Sequence, residues 1–156
     1  MVSNTCLAKS RVKYLIAAAI LISAILSTAL VNANEVEFLY DFLEGSYQVI
    51  GRWPDSQETY SGKVTLSREG NHFKVTRIIN GKRIVGTGSI ETATADKVKV
   101  LRVRFVHGAT KYEATYIIGS DLDNYARLTG YVYIKGGKTK QPGLEALFID
   151  HQAAKS

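Results

Sequence analysis

Cysteine is almost absent from this chain of 156 residues, since Cys6 is the only one. It lies upstream of a long apolar run, so the rest of the chain contains no cysteine and cannot be stabilised by disulfides. Proline is scarce too, with two residues, and 22% of the residues are charged, which excludes the collagen-like and disordered classes. About 120 residues follow the run, which is enough for one domain with its own core.

Recognisable catalytic and metal-binding motifs are also missing. His72, His107 and His151 are scattered along the chain, and neither a Ser-His-Asp arrangement nor a Gly-rich phosphate loop is found. The segment Asp121-x-Asp123-Asn124 has the start of a calcium loop but lacks the following Gly and the distal Glu, which favours a plain hairpin turn. We therefore predict a non-enzymatic protein with no cofactor and no bound metal.

The first 33 residues have the pattern of an export signal. Three basic residues and no acidic one precede an apolar stretch, residues 14–31, which ends in Val31-Asn32-Ala33 with small residues where a signal peptidase cuts. We predict a signal peptide of residues 1–33 and a periplasmic or secreted domain of residues 34–156. The alternative is an uncleaved anchor, because about 17 apolar residues approach the length that spans a bilayer.

The basic character of the chain is concentrated in this leader. The whole chain has 20 Lys and Arg against 14 Asp and Glu, a formal net charge of +6. Removal of Lys9, Arg11 and Lys13 leaves 17 against 14, a net charge of +3. So small an excess does not indicate nucleic-acid binding, and we predict no nucleic-acid partner and no membrane contact except through the leader.

Downstream of the leader, the spacing of apolar residues changes from helical to alternating. Residues 35–44 carry an apolar stripe at helical spacing and are followed by Gly45, which predicts one short helix. Alternation and recurring turn signals then predict eight strands. Their ranges are 46–53, 60–67, 72–79, 83–90, 97–106, 112–118, 125–135 and 144–150.

Eight neighbouring strands without a long crossover most simply close into an antiparallel up-and-down barrel, because closure removes unpaired edges. Alternation predicts the side chains that point inward. They are Tyr47, Val49, Gly51 and Trp53; Tyr60, Gly62, Val64 and Leu66; Ile84, Gly86, Gly88 and Ile90; Tyr112, Ala114, Tyr116 and Ile118; and Leu144, Ala146 and Phe148. The opposite faces are mostly polar, which predicts a water-soluble barrel rather than a transmembrane one.

The interior of such a barrel is just wide enough to be filled with side chains or to hold one small ligand. Its glycines and alanines either fit the taper of a filled barrel or leave a cavity. In the second case the lining consists of Tyr47, Trp53, Tyr60, Tyr112 and Tyr116. Their hydroxyl and indole groups need polar partners when buried, which favours a ligand or ordered water.

Strand five breaks its alternation at Leu101. Without a β-bulge, Arg102 and Arg104 would share one face with the preceding valines, point inward and bind an anionic head group. A bulge at Val100-Leu101 would instead turn both arginines to solvent, which we favour because buried unpaired charge is costly.

Basic residues and tyrosines are interleaved near the end of the chain. They are Arg127, Tyr131, Tyr133, Lys135, Lys138 and Lys140. Such a patch binds an acidic partner or polysaccharide, or simply forms a solvated outer wall, and we favour the wall.

The segment Leu43-Glu44-Gly45-Ser46-Tyr47, a short apolar helix that leads into Gly-x-aromatic, resembles the opening of lipocalin-like barrels, whose pattern is Gly-x-Trp. The order of eight strands also resembles that of avidin-like barrels. Gly86-Thr87-Gly88 and Leu128-Thr129-Gly130-Tyr131 are similar to segments of small uncharacterised exported bacterial β-barrel proteins. The resemblance covers about residues 36–150 and implies a ligand-binding barrel.

Taken together, these features predict an exported non-enzymatic β-barrel that binds a small amphipathic or anionic ligand in its interior. The five aromatic residues would line the site, and Arg102 or Arg104 would anchor the ligand. The alternative is a protein-interaction module, such as an inhibitor of an envelope or secreted hydrolase, that presents loop 54–59 or loop 135–143.

Overall fold

The computed structural model describes residues 35–118 and 126–150. The predicted leader, Cys6, the turn at residues 121–124 and His151 lie outside the described residues, as does the side chain of Arg127. The barrel belongs to the compact unit that begins at Leu39.

One helix and eight strands follow one another along the described residues. The helix, α1, covers residues 35–43. The strands are β1 (Gly45–Arg52), β2 (Thr59–Glu69), β3 (His72–Ile79), β4 (Lys82–Ala93), β5 (Val98–His107), β6 (Thr110–Ile118), β7 (Ala126–Ile134) and β8 (Gly143–Ile149). The predicted fold class is confirmed: each strand pairs antiparallel with the next, and β8 pairs with β1 to close the barrel.

The turn between β3 and β4 shows how local sequence sets this topology. Asn80 and Gly81 have φ angles of 48° and 76°. Positive φ at both central residues is the requirement of a two-residue hairpin turn whose twist matches that of the flanking strands. The register then pairs Ile79 with Lys82, as the Asn-Gly signal predicts.

The last turn of α1 lies against one end of the barrel, which we call the helix end. Leu43 is fully buried there and its carbonyl oxygen accepts a hydrogen bond of 2.7 Å from the hydroxyl of Tyr47. Asp41 binds Arg68 of β2 at 2.6 Å. The opposite end, which we call the loop end, carries the β1–β2 loop (residues 53–58) and the β7–β8 loop (residues 135–142).

The predicted inward faces of strands one, two, four and six are confirmed by burial, but that of strand eight is wrong. Leu144 is 47% exposed, whereas Glu145 and Leu147 are buried. Alternation alone assigned the more apolar set to the interior. The polar Glu145 is stable inside because a cation from another strand faces it, as described below.

The prediction for strand five is also corrected. β5 pairs without interruption with both β4 and β6, so the predicted bulge at Val100-Leu101 is absent. Leu101, Val103 and Phe105 are the inward residues, and Arg102 and Arg104 lie on the outer wall although no bulge turns them there. Val98, on the same face as the two arginines, is 45% exposed, so a valine on this strand does not mark the interior. Among the described strand pairs, a register shift occurs where β7 pairs with β8, between Ala126 and Leu128.

Candidate functional site

A salt bridge lies inside the barrel. Arg77 of β3 continues the inward face of Phe73 and Val75, and Glu145 of β8 lies between the inward residues Gly143 and Leu147. The two side chains form an ion pair, and neither is exposed to solvent. Arg77 Nη1 donates to Glu145 Oε2 at 3.3 Å, while Nη2 donates to Oε1. The guanidinium therefore binds the carboxylate in the two-pronged geometry that favours such pairs.

Two tyrosines complete this arrangement. The hydroxyl of Tyr60 donates to Glu145 Oε1, and that of Tyr116 donates to Glu145 Oε2. Arg77 Nη1 also donates to the Tyr116 hydroxyl at 3.3 Å. We call Arg77, Glu145, Tyr60 and Tyr116 the buried polar cluster.

The buried polar cluster carries no net charge at neutral pH. Burial, reinforced by the negative charge of Glu145, raises the pKa of both Tyr60 and Tyr116. Burial acts to lower the pKa of Arg77, but Glu145 outweighs it and raises that pKa. The Arg77–Glu145 ion pair and two protonated phenols therefore share the interior of the barrel.

Four aromatic side chains lie between the buried polar cluster and the loop end, and we call them the mouth aromatics. They are Trp53, Phe105, His107 and Tyr112. The Trp53 ring is stacked on His107 at 5.1 Å between centroids and lies 5.2 Å from Tyr112. Trp53, His107 and Tyr112 are each partly exposed, whereas Phe105 is buried.

The two groups touch each other. The Trp53 ring lies 4.4 Å from that of Tyr60, whose hydroxyl binds Glu145. The Arg77 guanidinium lies over the Phe105 ring, 4.4 Å from its centroid, in cation–π geometry. The mouth aromatics thus lead from solvent at the loop end to a charged pair at the centre.

One polar atom of this site has no partner. Arg77 Nε is buried and makes no hydrogen bond with the part of the chain that the structure describes. A buried donor without an acceptor is costly, so such a group in a folded protein needs an explanation.

The structure brings four of the five predicted lining aromatics together. Trp53, Tyr60, Tyr112 and Tyr116 lie in or next to the two groups just described. Tyr47 belongs to the helix end. The hydroxyls of Tyr47, Tyr60 and Tyr116 all donate to protein acceptors, so their burial does not itself require a ligand.

The predicted anchors are instead part of a four-charge network on the outer wall. Arg102 donates to Glu113 at 2.8 Å, and Arg104 donates to both Glu91 at 2.7 Å and Glu113 at 2.8 Å. The hydrogen bond from Arg104 lowers the pKa of Glu91. Burial opposes the charged form of Glu113, but hydrogen bonds from the two arginines outweigh it and lower that pKa as well. Both arginines already have anionic partners.

Sequence reasoning missed Arg77, Glu145, Phe105 and His107. A signal for the first was present, because Arg77 stands two residues after Val75 and two before Ile79 on an inward face. A lone cation on an otherwise apolar face indicates a buried partner of opposite charge. Glu145 carried the matching signal on strand eight, but the face of that strand was assigned wrongly.

The two long loops of the loop end are joined by one aspartate. Asp55 Oδ1 accepts hydrogen bonds from the backbone N–H groups of Lys140 at 2.9 Å and Gln141 at 2.7 Å. The Asp55 N–H donates to the Gln141 carbonyl at 2.9 Å. The loops 53–58 and 135–142 therefore form one continuous surface beside the mouth aromatics.

Comparison with known proteins adds no relative: no protein-family model and no curated protein matches the chain. Among the described residues, no cluster of three or more His, Cys, Asp or Glu side chains is placed to hold a metal ion. Within the same residues, no helix combines the length and apolar character needed to cross a membrane. The described residues form a closed eight-stranded antiparallel β-barrel, a fold whose interior is wide enough for one small ligand.

Proposed function

We propose that this protein is an exported, non-enzymatic carrier or sensor that binds a small amphipathic ligand at the loop end of its barrel. The observation that carries the proposal is the contact between the partly exposed mouth aromatics and the buried polar cluster. Ligand pockets combine aromatic walls with a few fixed polar groups in this way. Export rests on the leader pattern of residues 1–33.

Trp53 is the residue that a ligand would displace. It follows β1 rather than belonging to it, and its ring covers Tyr60 and stacks on His107. A flat apolar ligand that takes the place of the indole would contact Tyr60 below and Tyr112 at the side. It would replace aromatic contacts with similar ones, so opening the mouth costs little net contact.

Trp53 is also the only tryptophan, so all tryptophan emission comes from this site. We expect N-phenyl-1-naphthylamine, an uncharged aromatic probe, to quench Trp53 emission saturably through energy transfer. The variant Tyr112→Ala should weaken binding about tenfold, because it removes one wall of the mouth. Tyr131→Ala, which removes an aromatic side chain that is 50% exposed on the outer wall, is the matched control.

The proposal fails if quenching does not saturate, or if Tyr131→Ala weakens it as much as Tyr112→Ala. Native mass spectrometry of the protein purified from its own source provides an independent check, since a carrier should retain a bound molecule. Amino-terminal sequencing of the same sample tests the predicted cleavage after Ala33.

A protein-interaction module is the second candidate, and the Asp55 connection favours it. A joined loop surface is rigid before it binds, which lowers the entropic cost of association. An inhibitor of a secreted or envelope hydrolase would present loops 53–58 and 135–142 in this manner. Pull-down with a variant whose loop 136–141 is shortened separates the candidates: an inhibitor loses its target, whereas a carrier keeps its ligand.

A further inference from the structure

We infer that the ligand of this site is uncharged and presents a carbonyl or ether oxygen to Arg77, rather than the anionic head group that the sequence suggested. This inference rests on the proposed function and names its ligand class. Three observations support it: the neutral charge of the buried polar cluster, the unpartnered Arg77 Nε, and the position of Arg77 beneath the mouth aromatics.

The charge of the cluster disfavours a carboxylate. Among the described residues, Arg77 is the cation inside the barrel, and Glu145 already neutralises it through two hydrogen bonds. A ligand carboxylate would place two anions beside one cation in a region without solvent exposure. Such an uncompensated charge is expensive in a protein interior.

The orphaned donor favours a neutral acceptor. The Glu145 oxygens both accept from Arg77 and from a tyrosine hydroxyl, so the carboxylate has no capacity to serve Arg77 Nε. A carbonyl or ether oxygen accepts that hydrogen bond and brings no charge. The ligand would then satisfy a donor that the described part of the protein leaves unpaired.

The route to Arg77 passes the mouth aromatics. The guanidinium stacks on Phe105, whose ring lies 5.4 Å from Tyr112 and 6.4 Å from Trp53. A flat ring that replaces the indole of Trp53 would therefore lie next to Phe105. A short polar substituent on that ring points toward the buried polar cluster, so a small aromatic ketone, ester or ether has the required shape.

Three naphthalene probes of the same ring test this choice: 2-acetylnaphthalene, 2-naphthoate and naphthalene itself. Their dissociation constants are measured at pH 7 from the quenching of Trp53. We expect the ketone to bind about tenfold more tightly than naphthalene, because it satisfies the Arg77 donor. We expect the carboxylate to bind more weakly than the ketone by at least a similar factor.

The variant Glu145→Gln removes the negative charge of the cluster with little change of shape. The amide oxygen still accepts hydrogen bonds, but Arg77 is then an unneutralised cation. We expect 2-naphthoate to gain at least about tenfold in affinity over the wild type and to bind more tightly than the ketone. Glu113→Gln, which removes a carboxylate from the outer wall, should leave all three affinities unchanged.

The outcomes separate the two proposals. If neither N-phenyl-1-naphthylamine nor any naphthalene probe binds saturably, the proposed function is wrong. If the probes bind but the carboxylate equals or exceeds the ketone in the wild type, the ligand class is wrong and the binding site stands. Equal binding of naphthalene and the ketone also overturns the inference, since Arg77 Nε then has another acceptor. The wild-type series decides the question even if Glu145→Gln does not fold.

Discussion

Arg77 and Glu145 face each other inside the barrel from strands β3 and β8, and neither side chain reaches solvent. They are 68 residues apart in the chain. Burying two charges is costly unless geometry and additional hydrogen bonds are favourable, and here two tyrosine hydroxyls supply those bonds. The pair therefore ties the two strands together at the centre of the barrel, where apolar residues would otherwise be expected.

Removing one member of this pair should destabilise the fold strongly. Glu145→Leu leaves Arg77 charged and buried and takes the acceptor from both tyrosines, so we expect a loss of about 3–5 kcal/mol in the free energy of unfolding. Urea unfolding followed by Trp53 fluorescence measures it. The double variant Arg77→Met/Glu145→Leu should recover much of the loss, since no unpaired charge remains. A double variant no more stable than the single one would contradict this account.

The outer network of Arg102, Arg104, Glu91 and Glu113 should make stability depend on pH in the acid range. The folded-state pKa of Glu113 lies below its usual value, so the folded protein binds fewer protons than the unfolded chain. The stabilisation is therefore complete above the unfolded pKa of about 4.3 and is lost as the pH falls through the lower folded value. Partial exposure limits its size to about 1 kcal/mol.

The variant Glu113→Gln measures this contribution. Its free energy of unfolding should fall below that of the wild type at pH 7, and the difference should shrink toward zero below about pH 4. Glu58→Gln, at an exposed glutamate of the β1–β2 loop, is the control for the loss of one charge. A difference for Glu113→Gln that stays constant from pH 7 to pH 3 is inconsistent with the network.

The buried tyrosines should make the fold sensitive to alkali. Tyr116 has a raised pKa in the folded state, so it keeps its proton where an unfolded tyrosine, with a pKa of about 10, releases it. The unfolded chain then binds fewer protons, and stability falls as the pH rises above about 10. Each such tyrosine contributes a slope of up to about 1.4 kcal/mol per pH unit.

Tyr116→Phe removes one of these groups and should reduce the alkaline slope by about that amount. Unfolding free energies between pH 8 and pH 11 provide the measurement. Tyr131→Phe, on the exposed outer wall, should keep the wild-type slope. The same slope in both variants would mean that Tyr116 ionises as easily in the folded protein as in the unfolded chain.

Much of the barrel was predictable because its signals are local. Asn80-Gly81 identified a hairpin, and two-residue alternation placed Tyr47, Tyr60 and Tyr116 inside. The polar centre was not predictable in the same way, because burial of Glu145 is favourable only with Arg77 opposite it. That relationship arises when β3 and β8 face each other across a closed barrel, and no local pattern contains it.

The strand-five error has a related cause. The outer wall carries exposed apolar residues, among them Val98 at 45% and Ile117 at 50% exposure, so an apolar side chain does not mark the interior. Arg102 and Arg104 are stable on that wall because glutamates from β4 and β6 pair with them. Those partners become neighbours only when the strands pair.

Close strand packing at Gly62 should exclude even one methyl group. A Cβ atom at this position would overlap the carbonyl oxygen of Ile78 on the neighbouring strand. Because that oxygen is backbone, relief requires the strands to move apart, and we expect Gly62→Ala to lower the free energy of unfolding by about 1–3 kcal/mol. Gly70→Asn is the matched control, since Gly70 faces open space and its φ of 64° suits asparagine. Equal effects of the two substitutions would refute the packing argument.

The hydrogen bonds of Asp55 should limit local opening of the two loops, and they should contribute little to the global free energy of unfolding. Asp55→Ala removes the acceptor of the Lys140 and Gln141 amides, so hydrogen exchange at these two amides should accelerate by about tenfold or more. The global free energy of unfolding should fall by only about 1 kcal/mol, because the loops lie outside the buried centre. Asp96→Ala, in the exposed β4–β5 turn at the helix end, should leave both amides unaffected. If the amides exchange at the wild-type rate in Asp55→Ala, the two loops are held together by other contacts, and the rigid surface that an interaction module needs does not depend on this residue.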